Sequence, residues 1–196
     1  MSGPLPPSDL ARRRPSVTRL RAGTIIHRFY STKHYPIFFD RGLAGRLNAP
    51  DESYGVLYAA RKLAGAFAET FLRNPASTQI PLDLLSRKAY ARLKVIGTLS
   101  VLQLAGPGLA RVGATAEVTH SGLPYHVPQS WSAAIHGLAQ NFDGIAYHAR
   151  HDDNEVCYAL FDRAADRVLE ESRIVDLDDN WFWETAEAYH VGLAPR

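Results

Sequence analysis

The residues between 25 and 73 combine side chains that suit a negatively charged nucleotide with one that suits the breaking of a glycosidic bond. Arg28 lies in an apolar segment, and Arg46 lies in a Gly-Arg-Leu-Asn turn. Arginine guanidinium groups bind phosphate oxygens in a bidentate manner. Tyr58 can pack its ring against a base or a sugar. Glu69 can oppose the positive charge that grows on a ribose as its base departs.

These side chains are carried by different predicted elements. Alternating side chains over residues 24–30 predict a strand that bears Arg28. Residues 31–54 lack a sustained period and contain several prolines and glycines, which is typical of a long functional loop. A short buried strand is predicted over residues 56–59, and a helix over residues 60–73. Arg46 therefore falls in the loop, Tyr58 in the second strand and Glu69 on the helix.

The predicted helix has one apolar stripe, and Glu69 does not belong to it. Leu63, Phe67 and Phe71 recur every four residues and predict the face that packs in the core. At about 100° per residue, Glu69 lies roughly opposite this stripe, on the same side as Gly65. From the helix alone, an exposed glutamate and a functional carboxylate are both open interpretations.

The rest of the chain predicts a mixture of strands and helices. These elements are a strand within residues 94–104, a weaker strand over 114–119, a helix over 130–140 with Ser130 as its N-cap, strands over 145–150 and 156–161 joined by a polar turn at 152–154, and a final helix that begins near residue 178 or 180. Together they indicate the α/β class, with helices and strands mixed along the chain.

Composition limits the kind of protein. A chain of 196 residues fits one domain with a sizeable core. Its 46% hydrophobic and 21% charged content is that of a soluble globular protein. No apolar run approaches the roughly 20 residues of a membrane helix, and no secretory signal is evident at the N-terminus. The only cysteine, Cys157, excludes an internal disulfide and a zinc site built on paired cysteines. The histidines show no metal-binding spacing. We expect a cytoplasmic protein without a metal.

Positive charge is concentrated at the N-terminus. Residues 1–22 contain five arginines and one aspartate, although the whole chain has a net charge of only +2. This composition predicts a flexible basic Pro/Arg-rich arm over residues 1–22 ahead of a domain over residues 23–196. Nucleic-acid binding by the arm is the alternative. The slightly acidic remainder argues against a nucleic-acid-binding domain.

Several segments, in this order and at this spacing, resemble the RES domain, a family of NAD-consuming bacterial toxins. They are Ile26-His27-Arg28-Phe29, Gly45-Arg46-Leu47-Asn48-Ala49-Pro50, Val56-Leu57-Tyr58-Ala59-Ala60, Ala68-Glu69, Ser130-Trp131-Ser132-Ala133, Phe142-Asp143-Gly144-Ile145-Ala146-Tyr147 and Ala159-Leu160-Phe161. Two positions depart from the family pattern. Leu47 stands where the family usually has tryptophan, and Ala149 stands where many members have serine. Ser132 matches a second serine position of some relatives.

The resemblance implies an ADP-ribosyltransferase-like fold of mixed β-sheets with flanking helices, which binds NAD as a substrate in a cleft. It implies cleavage of the bond between nicotinamide and ribose, by hydrolysis or by phosphorolysis with inorganic phosphate. It also implies that the chain is the toxin of a toxin–antitoxin pair, with an Xre-type antitoxin as its protein partner.

Roles follow from the resemblance. Arg28 and Arg46 would hold the diphosphate, and Tyr58 would pack along the nicotinamide riboside. Glu69 would bond to the ribose and oppose the oxocarbenium charge, and Ser132 would orient the nicotinamide or the ribose. The remaining residues of the NAD-binding set are Phe29, Asn48, Trp131 and Ala149.

Each role has an alternative. Arg28 could be a surface arginine, Tyr58 a core tyrosine, and Ser132 an ordinary first-turn residue of a helix. For the whole chain, the missing serine at Ala149 leaves open a non-catalytic nucleotide-binding protein. Transfer of ADP-ribose onto a macromolecule is a third interpretation.

Overall fold

A computed structural model of the protein describes residues 3–73 and 78–194. Over these residues the strands are β1 (Val17–Leu20), β2 (Ile25–Ser31), β3 (Val56–Ala60), β4 (Gln79–Ile80), β5 (Lys88–Val95), β6 (Leu99–Gln103), β7 (Gly144–Ala149), β8 (Asp152–Phe161), β9 (Val168–Ile174) and β10 (Gly192–Leu193). The α-helices are α1 (Leu63–Phe71), α2 (Leu82–Ser86), α3 (Pro107–Val112), α4 (Glu117–His120), α5 (His126–His136) and α6 (Asn180–Glu187). Short 3₁₀ helices cover Leu10–Arg12 and Asp162–Arg167.

Eight of these strands form one mixed sheet. Its order is β1-β6-β7-β8-β3-β2-β5-β9, in which β6 and β7 are parallel and the other neighbours are antiparallel. Strands β4 and β10 form a separate parallel pair. The predicted α/β class, with mixed sheets and flanking helices, is confirmed.

The large sheet is curled, as a short connection requires. Strands β5 and β6 are five positions apart in the sheet order, yet only residues 96–98 join them. In a flat sheet five strand spacings would be about 24 Å, whereas this connection spans at most about 14 Å. The two halves of the sheet therefore face each other. Between them lies a core of strand side chains that includes the fully buried Leu57, Leu93 and Leu160.

Helices α1, α5 and α6 pack on the other face of the sheet. Their buried side chains include Phe67, Trp131 and Phe182, all at 0% exposure. The stripe predicted for α1 is confirmed, since Phe67 and Phe71 are buried and Leu63 packs against the same core. Burial of each such side chain stabilises the fold by about 1.5–3 kcal/mol. Among the described residues no helix is long and apolar enough to cross a bilayer.

Four predicted elements were wrong in type or extent. The polar turn predicted at residues 152–154 lies at residues 150–151, and residues 152–154 begin β8. The strand predicted within residues 94–104 is two strands, β5 and β6, because the chain reverses at residues 96–98. Residues 114–119, predicted as a strand, lead into helix α4. Helix α5 begins four residues before Ser130, whose hydroxyl donates to the carbonyl of His126 (2.7 Å) and caps nothing. Apolar composition alone does not distinguish a reversal from a continuous strand.

The flexible arm predicted for residues 1–22 differs from the structure of residues 3–22. Residues 17–20 form β1, which pairs with β6 at the edge of the sheet. Leu10 is buried in the core, and the carbonyl of Pro4 accepts a hydrogen bond from Trp131 Nε1 (2.7 Å). A few apolar side chains and backbone pairing anchor this segment, even though its composition is basic.

Candidate active site

A cleft opens where two neighbouring strands of the sheet separate. Strands β2 and β3 share a single registered pair, His27 with Ala60. Beyond it the strands diverge, so that Arg28 and Tyr58 line a cavity of about 630 Å³ between them. A gap inside a sheet leaves room for a ligand among rigid elements.

The turn that carries Arg46 is anchored by Asn48, which is fully buried. The Asn48 amide donates to Asp40 Oδ2 (3.1 Å) and to the carbonyl of Gly42 (2.5 Å). Its Oδ1 accepts from the Tyr58 hydroxyl (2.9 Å). A Cβ atom on Gly45 would lie 2.1 Å from Asn48 Oδ1, so only glycine fits there. The turn is therefore locked against β3, and Arg46 projects from it into the cleft.

Tyr58 lines the cleft with its ring and holds the turn with its hydroxyl. The same oxygen that donates to Asn48 accepts from the backbone N–H of Leu47 (2.8 Å). Burial raises the pKa of Tyr58, so the hydroxyl stays protonated at neutral pH. The ring of Tyr58 thus lines the cleft, and its hydroxyl holds the Arg46 turn in place. Tyr58 is both a core tyrosine and a residue of the candidate site.

The carboxylate of Glu69 lies in the cleft between three donors. Its Oε1 accepts the backbone N–H of Arg150 (2.8 Å), and its Oε2 accepts the hydroxyl of Tyr147 (3.4 Å). Arg46 Nη1 is 3.9 Å from Oε2. Burial, and then the negative charge of Glu69, raises the pKa of Tyr147 and keeps it a donor. The carboxylate is held in one orientation while 22% of its side chain stays exposed.

Arg46 is engaged with the wall around Glu69. Besides its approach to Glu69, its Nη1 donates to the carbonyl of Thr119 (2.8 Å). Its guanidinium carbon lies 5.9 Å from the centre of the Tyr125 ring, within the range of a cation–π contact. Its buried Nε has no hydrogen-bond partner among the described residues. One side of Arg46 thus partly neutralises Glu69, while its Nε stays without a partner among the described residues.

Arg28 lies at the other wall of the cleft, on β2. Its Nη1 donates to the carbonyl of Phe38 (3.3 Å), and its buried Nε has no partner among the described residues. Desolvation lowers the pKa of Arg28 to about 10, against smaller raising effects of Tyr30 and Asp40. The side chain is still charged at neutral pH, and an anionic ligand would stabilise that charge.

Four predicted site residues lie outside the cleft lining, and the buried Asn48 of the Arg46 turn is one of them. Ser132 is fully buried, donates to the carbonyl of Leu47 (2.6 Å) and accepts from the Tyr54 hydroxyl (2.8 Å). Trp131 and Ala149 are also fully buried. Ser132 therefore supports the Arg46 turn from behind. The predicted residues that the cleft brings together are Arg28, Phe29, Arg46, Tyr58 and Glu69.

The cleft also contains residues for which the sequence predicted no role in the site. Tyr147 and the Arg150 backbone come from β7 and the turn after it, and Lys88 comes from β5. Alternation along β7 places Tyr147 on the same face as Ile145 and Ala149. Both faces of this strand are buried, so the pattern does not identify Tyr147 as a cleft residue. No local pattern indicates that the Arg150 amide reaches Glu69. Among the described residues, no group of three His, Cys, Asp or Glu side chains is placed to hold a metal.

Comparisons with known proteins cover most of the chain. The model of the RES domain family matches residues 22–182. No curated protein matches at a significant level. Among solved structures, a chain of the M. tuberculosis MbcT–MbcA toxin–antitoxin complex is similar with a TM-score of 0.68 and 15% identity. The similarity covers 92% of this chain and 98% of that chain. At this level of identity the likeness establishes a shared fold.

Proposed function

The chain belongs to the RES domain family, and from that premise we propose that it is an enzyme that breaks the bond between nicotinamide and ribose in NAD. The observation that carries the proposal is the carboxylate of Glu69, held by Tyr147 and the Arg150 amide inside a cleft of about 630 Å³. Cavities of this size accommodate nucleotide-sized ligands.

The chemistry requires charge stabilisation more than proton transfer. The nicotinamide of NAD is cationic, and it leaves as a neutral molecule with the electron pair of the glycosidic bond. Positive charge then develops on the ribose, and a carboxylate aimed at it lowers the barrier because the charge is greater in the transition state than in the substrate. Glu69 is oriented before the substrate binds, so little reorganisation is needed.

The acceptor is water or inorganic phosphate. An oxygen of the acceptor bonds to the ribose carbon, and water loses a proton in doing so. Arg46 Nη1 lies 3.9 Å from Glu69 Oε2, and Arg150 also lines the cleft. This positive charge favours an anionic acceptor. We propose phosphorolysis, with hydrolysis as the alternative. Incubation of the protein with NAD, with and without phosphate, followed by ³¹P NMR of the products, distinguishes a phosphorylated ADP-ribose from ADP-ribose.

We further propose that the protein is the toxin of a toxin–antitoxin pair and that an Xre-type antitoxin shields the cleft. Family membership and the similar chain from a toxin–antitoxin complex support this role. Expression without the partner should deplete cellular NAD and stop growth. Co-expression with the product of a neighbouring Xre-type gene should restore the NAD level and growth. An unchanged NAD level when the protein is expressed alone would contradict the role as a toxin.

Arg28→Ala should weaken NAD binding by about 10- to 100-fold, since a hydrogen bond to a charged group contributes about 1.5–3 kcal/mol. The diphosphate changes little between substrate and transition state, so turnover at saturating NAD should fall much less. Calorimetric titration measures the affinity. Arg19→Ala removes an exposed arginine on β1, remote from the cleft, and is the matched control. Wild-type affinity in Arg28→Ala would place the phosphates elsewhere.

Ser132→Ala should destabilise the fold by about 2 kcal/mol, because Tyr54 and the Leu47 carbonyl each lose a buried partner. The melting temperature should fall by about 4–8 °C, while turnover per folded molecule stays near that of the wild type. Ser130→Ala, two residues away on α5, should change stability by less than about 0.5 kcal/mol. Loss of turnover at an unchanged melting temperature would instead support the catalytic role that the family resemblance implies.

A non-catalytic nucleotide-binding protein is the second candidate, and Ala149 favours it. The residue is fully buried at the end of β7, where many family members have serine. If this second candidate function is correct, the protein binds NAD without releasing nicotinamide. Transfer of ADP-ribose to a macromolecule would appear in the same assay as labelled protein or nucleic acid.

A further inference from the structure

Three cationic side chains from three different elements line the cleft near one another. Arg28 belongs to β2, Lys88 begins β5 opposite Ser31, and Arg73 follows the end of α1. Among residues 3–73 and 78–194, no carboxylate lies within ion-pairing distance of any of the three. Residues 74–77, which follow Arg73, include no acidic side chain. We refer to these three residues as the cation triad.

The triad is electrostatically unfavourable in the protein alone. Burial, and then the positive charges of Arg73, Arg28 and Arg87, lower the pKa of Lys88. Like charges that share a partly desolvated cleft repel one another more strongly than they would in water. A group of cations kept together without a partner is characteristic of a site for an anion.

The acidic side chains nearest to the cation triad already have other partners. Asp40, whose negative charge raises the pKa of Arg28, accepts hydrogen bonds from Asn48 Nδ2 (3.1 Å) and from the backbone N–H of Gly42 (2.9 Å). Arg87 faces outward and pairs with Asp83 (2.8 Å). The chain therefore pairs the arginine next to Lys88 and leaves the lysine in the cleft without a carboxylate.

The triad differs from Arg46, which also lines the cleft. Arg46 lies 3.9 Å from the Glu69 carboxylate, which partly neutralises it. Among the described residues, Arg73 makes one hydrogen bond, from its Nε to the backbone carbonyl of Glu69 (3.2 Å). Its Nη donors make no bond to these residues. A ligand with two adjacent negative charges would thus be bound more strongly at the triad than at Arg46.

We propose that Arg73 and Lys88, together with Arg28, bind the diphosphate of the nucleotide. The adenosine end of NAD then lies toward β5, and the nicotinamide riboside lies at Glu69. This assignment moves the diphosphate away from Arg46, whose part is to orient Glu69. The orientation of NAD in the cleft rests on the proposed function. The binding of a diphosphate rests on the cation triad alone.

The test is calorimetric titration of ADP and of inorganic pyrophosphate, at low salt, into the wild type, Lys88→Gln, Arg73→Gln and Lys94→Gln. Lys94 is exposed on the same strand as Lys88 and is the matched control. Each triad variant should bind ADP about tenfold more weakly, since one charge-assisted contact is lost, and Lys94→Gln should bind within about twofold of the wild type. Circular dichroism and thermal melts check that every variant is folded.

The outcomes separate this inference from the proposed function. ADP binding needs no cleavage of NAD. Weakened ADP binding in both Lys88→Gln and Arg73→Gln therefore supports diphosphate binding by the cation triad, even if the wild type never releases nicotinamide. Wild-type affinity in Lys88→Gln and Arg73→Gln, no binding of ADP to the wild type, or an equal loss in Lys94→Gln would each overturn the inference, whatever the activity toward NAD.

Discussion

Glu69→Gln should lower the release of nicotinamide from NAD by at least ~100-fold while the fold is kept. The amide has the same shape, and its oxygen can still accept the Arg150 N–H that Glu69 Oε1 accepts at 2.8 Å. What is lost is the negative charge that opposes the charge developing on the ribose. One such preorganised group is typically worth ~3 kcal/mol in the transition state, and each 1.36 kcal/mol is tenfold in rate.

The measurement is turnover at saturating NAD, with NAD affinity and circular dichroism determined on the same samples. Affinity should change little, because the substrate carries less charge on its ribose than the transition state does. Glu184→Gln, an exposed glutamate on α6, makes the same chemical change outside the cleft and should leave turnover unaffected. Wild-type turnover in Glu69→Gln would remove this carboxylate from the mechanism.

Gly45→Ala should disrupt the Arg46 turn and cost about 3 kcal/mol of folding free energy. The added Cβ would lie 2.1 Å from Asn48 Oδ1 and 2.8 Å from the Tyr58 hydroxyl. These two groups bond to each other at 2.9 Å, and both are anchored by further hydrogen bonds. Overpacking costs about 1–3 kcal/mol, and a buried group that loses its partner adds about 1–3 kcal/mol.

Thermal denaturation should show a fall of about 6–12 °C in the melting temperature, and nicotinamide release should slow because Arg46 no longer reaches and orients Glu69. Gly192→Ala is the control, since a Cβ there meets nothing within 4 Å. A Gly45→Ala protein as stable and as active as the wild type would mean that the turn is not locked against Tyr58.

The features that the sequence predicted correctly are mostly local. The stripe of Leu63, Phe67 and Phe71 marked the buried face of α1 because helical periodicity is a property of one segment. The predicted position of Glu69 outside that stripe is also confirmed, since its carboxylate lies in the cleft. Order and spacing of short segments were enough to indicate the RES family, whose model matches residues 22–182.

The features that the sequence missed depend on what packs against each segment. A continuous apolar run contains β5 and β6, and only the curled sheet separates them. A basic N-terminal segment forms β1 because β6 offers it an edge. Ser132 lies behind the Arg46 turn, and nothing in its helical segment indicates which side of that turn it contacts.

The sequence by itself therefore determined the fold class, the helix that carries Glu69 and the turn that carries Arg46. Only the tertiary structure decided how the site is assembled. Tyr147 and the Arg150 amide meet Glu69 from about 80 residues along the chain. The β2–β5 pairing brings Lys88 close enough to Arg28 for their charges to interact. The reason is that charge and hydrogen bonding act through space, so the partners of a carboxylate or a guanidinium are determined by strand order and register and not by distance in sequence.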